Sequence, residues 1–278
     1  MSEANIKSLL DHMWQDYLQL NPDVSKIHQL LSGKNNGVVV NDHIALRTFN
    51  LDKVNIDKMA QPFLQAGYRF AGEYHFAEKK LYARHLQHSD THLPKVFISE
   101  LLVEQLSDSA QVLVQDLVDS LDPEWVANDD FCYSGRPWDI SYTQYCKLLA
   151  ESEYAAWLAA FGYRPNHFTV SVNHLQSHNS LEDVNLFLLE QGIILNEAGG
   201  VIKGSPEDYL EQSSTLASKT NVKFIDREAS IPSCYYEFAR RYPLSDGSLY
   251  QGFIAKSADK IFESTDVSPS PARMMLGV

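Results

Sequence analysis

One order of elements occurs twice along this chain, and it constrains the fold more than any other feature. VVVNDHIALRTF, residues 38–49, is rich in β-branched and apolar residues and reads as a strand. Residues 55–66 read as a helix closed by Gly67, and three strand-like runs follow, Tyr68–Phe76, Lys80–Leu86 and Lys95–Leu102. Helices over 107–121 and 141–160, separated by the loop FCYSGRPWD, form a connection. NHFTVSVNHL, residues 166–175, then opens the order again. A helix at 181–190 ends at Gln191-Gly192, with strands near Ile193–Asn196, Tyr209–Thr215 and Cys234–Ala239. Ahead of both modules, Ile6, Leu9, Leu10, Met13, Tyr17 and Leu18 mark a helix over 3–20 that Asn21-Pro22 stops, and a short helix follows around Ser25–Leu31. The pattern β-α-β-β-β therefore appears twice, without an obvious residue-level repeat.

Chemistry-bearing residues fall at matching places in the two modules. His43 opens the first and Glu100 lies on its last strand; His167 opens the second and Glu237 lies on its last strand. Side chains alternate faces along a strand, so His43, Ala45, Arg47 and Phe49 share one face and Ile44, Leu46 and Thr48 the other. His167, Thr169, Ser171 and Asn173 share a polar face opposite Phe168, Val170 and Val172, while Tyr235, Glu237, Ala239 and Arg241 share a third. Each segment alone has a plainer reading: a half-buried strand histidine, a solvent-facing polar strand, a Glu237 salt bridge to Arg240 or Arg241. Together, two histidines and one carboxylate make the facial triad typical of non-haem Fe(II) oxygenases, which leaves coordination positions open. His43 and Arg47 are four residues apart, roughly 13 Å at about 3.3 Å per residue. That gap suits a small acid with one end on a metal and a carboxylate in the guanidinium fork.

Paired modules of this order, each offering ligands from its first and last strands, resemble the vicinal-oxygen-chelate architecture. The expected fold is α+β: paired β-α-β-β-β modules forming a β-barrel with added helices. The chain reads as a single domain over 1–278, with N-terminal helices at 1–36, module one at about 37–104, a helical connection at about 105–163 and module two at about 164–278.

Composition narrows the function classes. A net charge of −13 argues against a nucleic-acid footprint or a polybasic membrane patch. It leaves room for a small anionic substrate in a locally positive pocket. With 44% hydrophobic residues, a chain this long builds a core without help from a metal, so a metal here would serve chemistry. Cys132, Cys146 and Cys234 form no C-x-x-C pair, and the acid-bearing N-terminus MSEANIKSLLDHMW is not a signal peptide, so a reducing cytoplasm is expected. No run approaches the roughly 20 apolar residues of a membrane span. Zincin, α/β-hydrolase and common nucleotide-binding motifs are missing, and His88/His92 and His174/His178 read as solvated loop pairs.

Several segments carry a closer resemblance. NDHIALRTF resembles the His-x-x-x-Arg segment of the family that contains 2-oxoadipate dioxygenase/decarboxylase. NHFT resembles its second histidine segment, and YYEFARR its Glu-x-x-x-Arg segment. EQSST at 211–215 and FIAKSADKIFEST at 253–265 are similar to its remaining segments, although Lys256 stands where the family carries an apolar residue. The resemblance implies His43, His167 and Glu237 as Fe(II) ligands, Arg47 as binder of a substrate carboxylate, and Lys256 and Ser257 as pocket-lining, with Arg241 closing the Glu-x-x-x-Arg segment beside the substrate. It implies a small 2-oxo acid and dioxygen as partners, with 2-oxoadipate giving 2-hydroxyglutarate and CO2. Three such ligands would also take Zn or Ni. Two rivals share the architecture: a glyoxalase-like isomerase or hydrolase with Glu100 as fourth ligand, and a metal-free small-molecule binding protein.

Overall fold

The computed structural model describes residues 3–265. Helix α1 (Glu3–Leu20) buries Ile6, Leu9, Met13 and Tyr17 along one stripe, and Trp14 beside it meets Phe168 edge-on at 4.9 Å. Helix α2 (Pro22–Lys34) starts at Pro22, earlier than the expected Ser25. Proline suits the first helical position, where its fixed φ is already helical and its missing N–H would have no partner. Then come β1 (Asn41–Phe49), α3 (Ile56–Gln65), β2 (Arg69–Phe76), β3 (Leu81–Gln87) and β4 (Lys95–Leu101), in the expected order. The connection holds α4 (Asp108–Asp119), the one-turn α5 (Pro123–Val126), α6 (Tyr142–Leu149) and α7 (Glu153–Phe161). The single helix expected over 141–160 is thus two. The Ser152 hydroxyl accepts from Ala155 N–H, an N-cap that starts a new helix.

Module two follows as β5 (Pro165–Ser171), α8 (Leu181–Glu190), β6 (Lys203–Ser205), β7 (Leu210–Ser214), β8 (Lys219–Lys223), β9 (Glu228–Pro232), β10 (Tyr235–Arg241) and α9 (Ala255–Phe262). The run at 193–196 makes only one isolated bridge, Leu195 to Thr215, and β6 takes the strand's place. β8 and β9 form a hairpin outside the main sheet.

The main sheet has eight strands in the order β2-β3-β4-β1-β5-β10-β7-β6. Its two halves mirror each other outward from the antiparallel β1–β5 seam: β4 lies parallel to β1 as β10 lies parallel to β5, with β3 and β7 next and β2 and β6 at the edges. The sheet curls into a partially closed half-barrel, in keeping with the vicinal-oxygen-chelate-like barrel expected from sequence. α9 packs against both edge strands, where a closing seam would run.

Register carries the pseudo-symmetry to individual residues. Across the seam His43 faces Thr169 and Ala45 faces His167, so a twofold relating the modules exchanges His43 with His167 and Ala45 with Thr169. On the next strands Ala45 pairs with Phe97 and Thr169 pairs with Glu237. Phe97 is therefore the module-one counterpart of Glu237. The opposite face, with Ile44, Leu46, Val96 and Ile98 all fully buried, packs under α3. Among the described residues no helix is long and apolar enough to cross a membrane.

Candidate metal centre

The pleat places His43, His167 and Glu237 on one face of three adjacent strands, and all three are buried, at 2%, 4% and 1% exposure. One ligand atom from each lies within 4.8 Å of the others. His43 Nε2 is 3.4 Å from Glu237 Oε1, and His167 Nε2 is 3.2 Å from Glu237 Oε2. The two imidazole rings meet edge-on with centroids 5.6 Å apart. Both therefore aim Nε2 at the same carboxylate from different directions.

Each Nδ1 has its own partner. His43 Nδ1 donates to Asp42 Oδ1 at 2.9 Å, and His167 Nδ1 to Asn166 Oδ1 at 3.2 Å. A proton fixed on Nδ1 leaves the Nε2 lone pair free, which is how outer partners orient a metal-binding histidine. The Thr169 hydroxyl meets His43 Nε2 at 3.0 Å, in keeping with an acceptor nitrogen. An irregularity in the β1–β5 pairing between Asn41 and His43 sets Asp42 beside the ring. Burial, with His43 and Arg47 nearby, pushes His167 well below the ordinary imidazole range, so it stays neutral. Burial also raises Glu237, against the pull of His43 and the hydrogen bond that Gln212 Nε2 donates at 2.7 Å.

The donor set fits a cation. Glu237 Oε2 and Gln212 Oε1 are buried without hydrogen bonds, and such atoms cost about 1–3 kcal/mol each when nothing satisfies them. Two imidazoles and a carboxylate with an unused oxygen supply what a divalent first-row ion binds. Phe97, in the slot symmetry would give a fourth ligand, packs on Phe253 (centroids 5.0 Å), and Phe253 meets the His43 ring edge-on at 4.8 Å.

Other sequence candidates are placed as follows. Glu100 is not in the cluster: it pairs with Thr48 on the opposite face of the sheet and accepts from Ile56 N–H at the start of α3, at 2.9 Å. The pleat sends it away from His43, and that corrects the fourth-ligand expectation. Arg241 is buried, but its guanidinium clamps Asp42, Nε to Oδ2 at 2.7 Å and Nη2 to Oδ1 at 2.8 Å, and Nη1 donates to the Tyr250 and Gly252 carbonyls. Its donors serve the protein, so its geometry is that of an outer support for His43, not the substrate contact expected. Burial opposes ionisation of Asp42, yet Arg241 and the His43 hydrogen bond outweigh it and hold that carboxyl well below the usual range. Lys256 is exposed in the first turn of α9, outside the buried site, whereas Ser257 beside it is buried. Ser257 sits against Gly204, which has φ +80° and where a Cβ would lie 2.1 Å from the Leu210 carbonyl oxygen. Arg47 shares the His43 face and is 1% exposed.

Sequence reading missed Asp42, Gln212, Phe97, Tyr235 and Glu153. Tyr235 stacks on His167 with centroids 4.5 Å apart, and its hydroxyl is buried without a partner. Its signal was available, since Tyr235 shares the Glu237 face by alternation.

A model of the 2-oxoadipate dioxygenase/decarboxylase family matches residues 5–122 and 133–248. The chain belongs to this family. It is 36% identical over 290 residues to the chloroplastic 2-oxoadipate dioxygenase/decarboxylase of Arabidopsis thaliana, spanning 95% of this chain and 78% of that relative. The crystal structure of hydroxyglutarate synthase from Oryza sativa in complex with 2-oxoadipate is similar at 33% identity and TM-score 0.88, over 95% of this chain and 93% of that one. A Shewanella frigidimarina protein provisionally named a hydrolase is 52% identical with TM-score 0.86, over 90% and 98% of the two chains. Membership and the His-His-Glu cluster make this chain a metal-dependent enzyme of the dioxygenase/decarboxylase class.

Proposed function

We propose that His43, His167 and Glu237 hold one Fe(II), and that the enzyme oxidatively decarboxylates and hydroxylates a small 2-oxo acid of the 2-oxoadipate class. With 2-oxoadipate the products are 2-hydroxyglutarate and CO2, and both oxygen atoms of O2 end in the 2-hydroxy acid. The observation that carries this reading is the convergence of two Nε2 atoms and one carboxylate in a buried space whose fourth, symmetry-related slot is filled by Phe97. A glyoxalase-like centre with a ligand in that slot would have fewer open positions. A metal held by His43, His167 and Glu237 alone would keep room for a 2-oxo acid and dioxygen.

Iron, when bound, supplies Lewis-acid chelation of the 2-oxo acid and the redox chemistry with dioxygen. The chain supplies the rest. Asp42, clamped by Arg241, and Asn166 fix the two imidazoles. Gln212 holds one oxygen of Glu237 and leaves the other for the metal. Phe97 and Phe253 wall the centre with apolar surface and exclude water. Arg47, two residues past Ala45 on the ligand face, takes the distal carboxylate, with Tyr235 and Ser257 lining the same space. The three cysteines, all free, support the reducing cytoplasm as the setting. We take residues 1–278 as one functional unit because the sheet runs through both modules.

The test is direct. Fe(II)-reconstituted enzyme given 2-oxoadipate should take up one O2 per CO2 released and yield 2-hydroxyglutarate. No uptake across a panel of linear 2-oxo acids of four to seven carbons would overturn the reading.

A further inference from the structure

Arg47 lies in an apolar slot, its guanidinium 4.8 Å from the Tyr154 ring centroid and 5.0 Å from that of Trp157. Nη1 meets both oxygens of Glu153, at 3.2 and 3.5 Å, Nη2 donates to Thr265 Oγ1 at 3.2 Å, and Nε is buried with no partner. Glu153 stands in the first turn of α7, and its side chain keeps 21% exposure against 1% for Arg47. The pair is thus asymmetric: a fixed, enclosed cation and an anion at the edge of the slot. Removing a guanidinium from water is costly unless an anion accompanies it. Without substrate, Glu153 is that anion.

A substrate carboxylate arriving at Arg47 brings a second negative charge to one guanidinium. It can take the free Nε–H, but it must share Nη1 with Glu153 or displace it. A 2-oxo acid ending in a methyl group leaves the ion pair intact. We propose that Glu153 is a specificity-determining positioning residue, the standing counter-ion of Arg47 that sets how strongly the site prefers dicarboxylic over monocarboxylic 2-oxo acids. This rests on Arg47 receiving the distal carboxylate, as argued above. Glu153 restrains that preference: it keeps the buried cation neutralised when the site is empty and weakens its hold on any incoming dianion.

The experiment measures binding by calorimetry to Fe(II)-loaded enzyme under argon, with 2-oxoadipate and 2-oxohexanoate as six-carbon probes that differ only at the far end. Admission of air then reads oxygen uptake separately. Glu153→Gln keeps an acceptor for Arg47 and removes the charge. Its Kd for 2-oxoadipate should fall on the order of tenfold, the scale of a partly exposed ion pair, while that for 2-oxohexanoate stays within about twofold. Glu153→Asp draws the charge back by one methylene and should give a smaller shift of the same sign, so either variant reads the effect. A merely structural Glu153 would weaken both acids together. An unchanged preference in both variants, or equal binding of the two acids by the wild type, overturns the proposal. A shifted preference with no oxygen uptake leaves it standing and removes the oxygenase reading instead.

Discussion

The two halves of the sheet share a topology and differ in what they deliver to the centre. Each contributes a histidine from its first strand, backed through Nδ1 by the preceding residue, Asp42 in one half and Asn166 in the other. One step further the halves part: β10 presents Glu237 where β4 presents Phe97. The backing differs as well. Asp42 is an anion gripped by Arg241, whereas Asn166 is a neutral amide whose Nδ2 has no partner. The scaffold is close to twofold and the site is not. That asymmetry gives three ligands instead of four, with one strongly and one weakly supported imidazole.

The largest expected effect comes from erasing the asymmetry. Glu237→Gln removes the only carboxylate of the cluster, and iron affinity should fall by more than about 100-fold, beyond what loss of an outer partner costs. Metal content after dialysis reads it. Phe97→Glu does the converse by putting a carboxylate at the counterpart position that Phe97 holds. It should raise iron retention while suppressing oxygen uptake at least about tenfold, because an open position of the triad is taken. Undiminished uptake in Phe97→Glu that still binds iron would show that Phe97 does not occupy the counterpart slot.

These contrasts were only partly legible in the sequence. β1, β5 and β10 stood out because a ligand-bearing face alternates with an apolar one, and the triad followed from that alternation together with resemblance. Glu100 misled because matching order along the chain says nothing of register; only the pairing of Thr48 with Glu100 shows which face it takes. The β8–β9 hairpin was missed because it buries little: Val222 and Ile231 point inward among polar and exposed neighbours. The supports of the site lie far off in sequence, Arg241 being 199 residues from Asp42 and Glu153 106 residues from Arg47. No local pattern reports such pairs.

The difference in backing predicts an intermediate effect. Asp42→Asn leaves Arg241 buried without its anion and should cost about 3–5 kcal/mol of stability and about 10–100-fold in metal affinity. Asn166→Ala removes a single neutral hydrogen bond and should cost about 1 kcal/mol. Urea denaturation and chelator competition on both variants measure the gap. Equal losses would mean that the charged clamp contributes no more than the amide.

The smallest expected effect concerns the edges. β2 alternates exposed and half-buried residues along most of its length, but its counterpart β6 buries Lys203, whose ammonium donates to the Asn196 carbonyl at 2.6 Å and the Val201 carbonyl at 3.3 Å. Burial lowers this lysine to about 8, although Glu237, Glu263 and Glu197 oppose the shift. The unfolded value is near 10.4, so the folded protein releases the proton first. Folding therefore gains stability as pH rises from about 8 towards 10.4, and gives it up as pH falls back through about 8. The span is at most about 2 kcal/mol after allowance for residual solvent contact. Lys203→Met should abolish it, so the stability difference between wild type and variant, read from urea midpoints at pH 7 and pH 10, should move in favour of the wild type at the higher pH. A difference independent of pH would mean that Lys203 keeps its ordinary affinity for the proton, and that the two edges of the sheet are electrostatically alike.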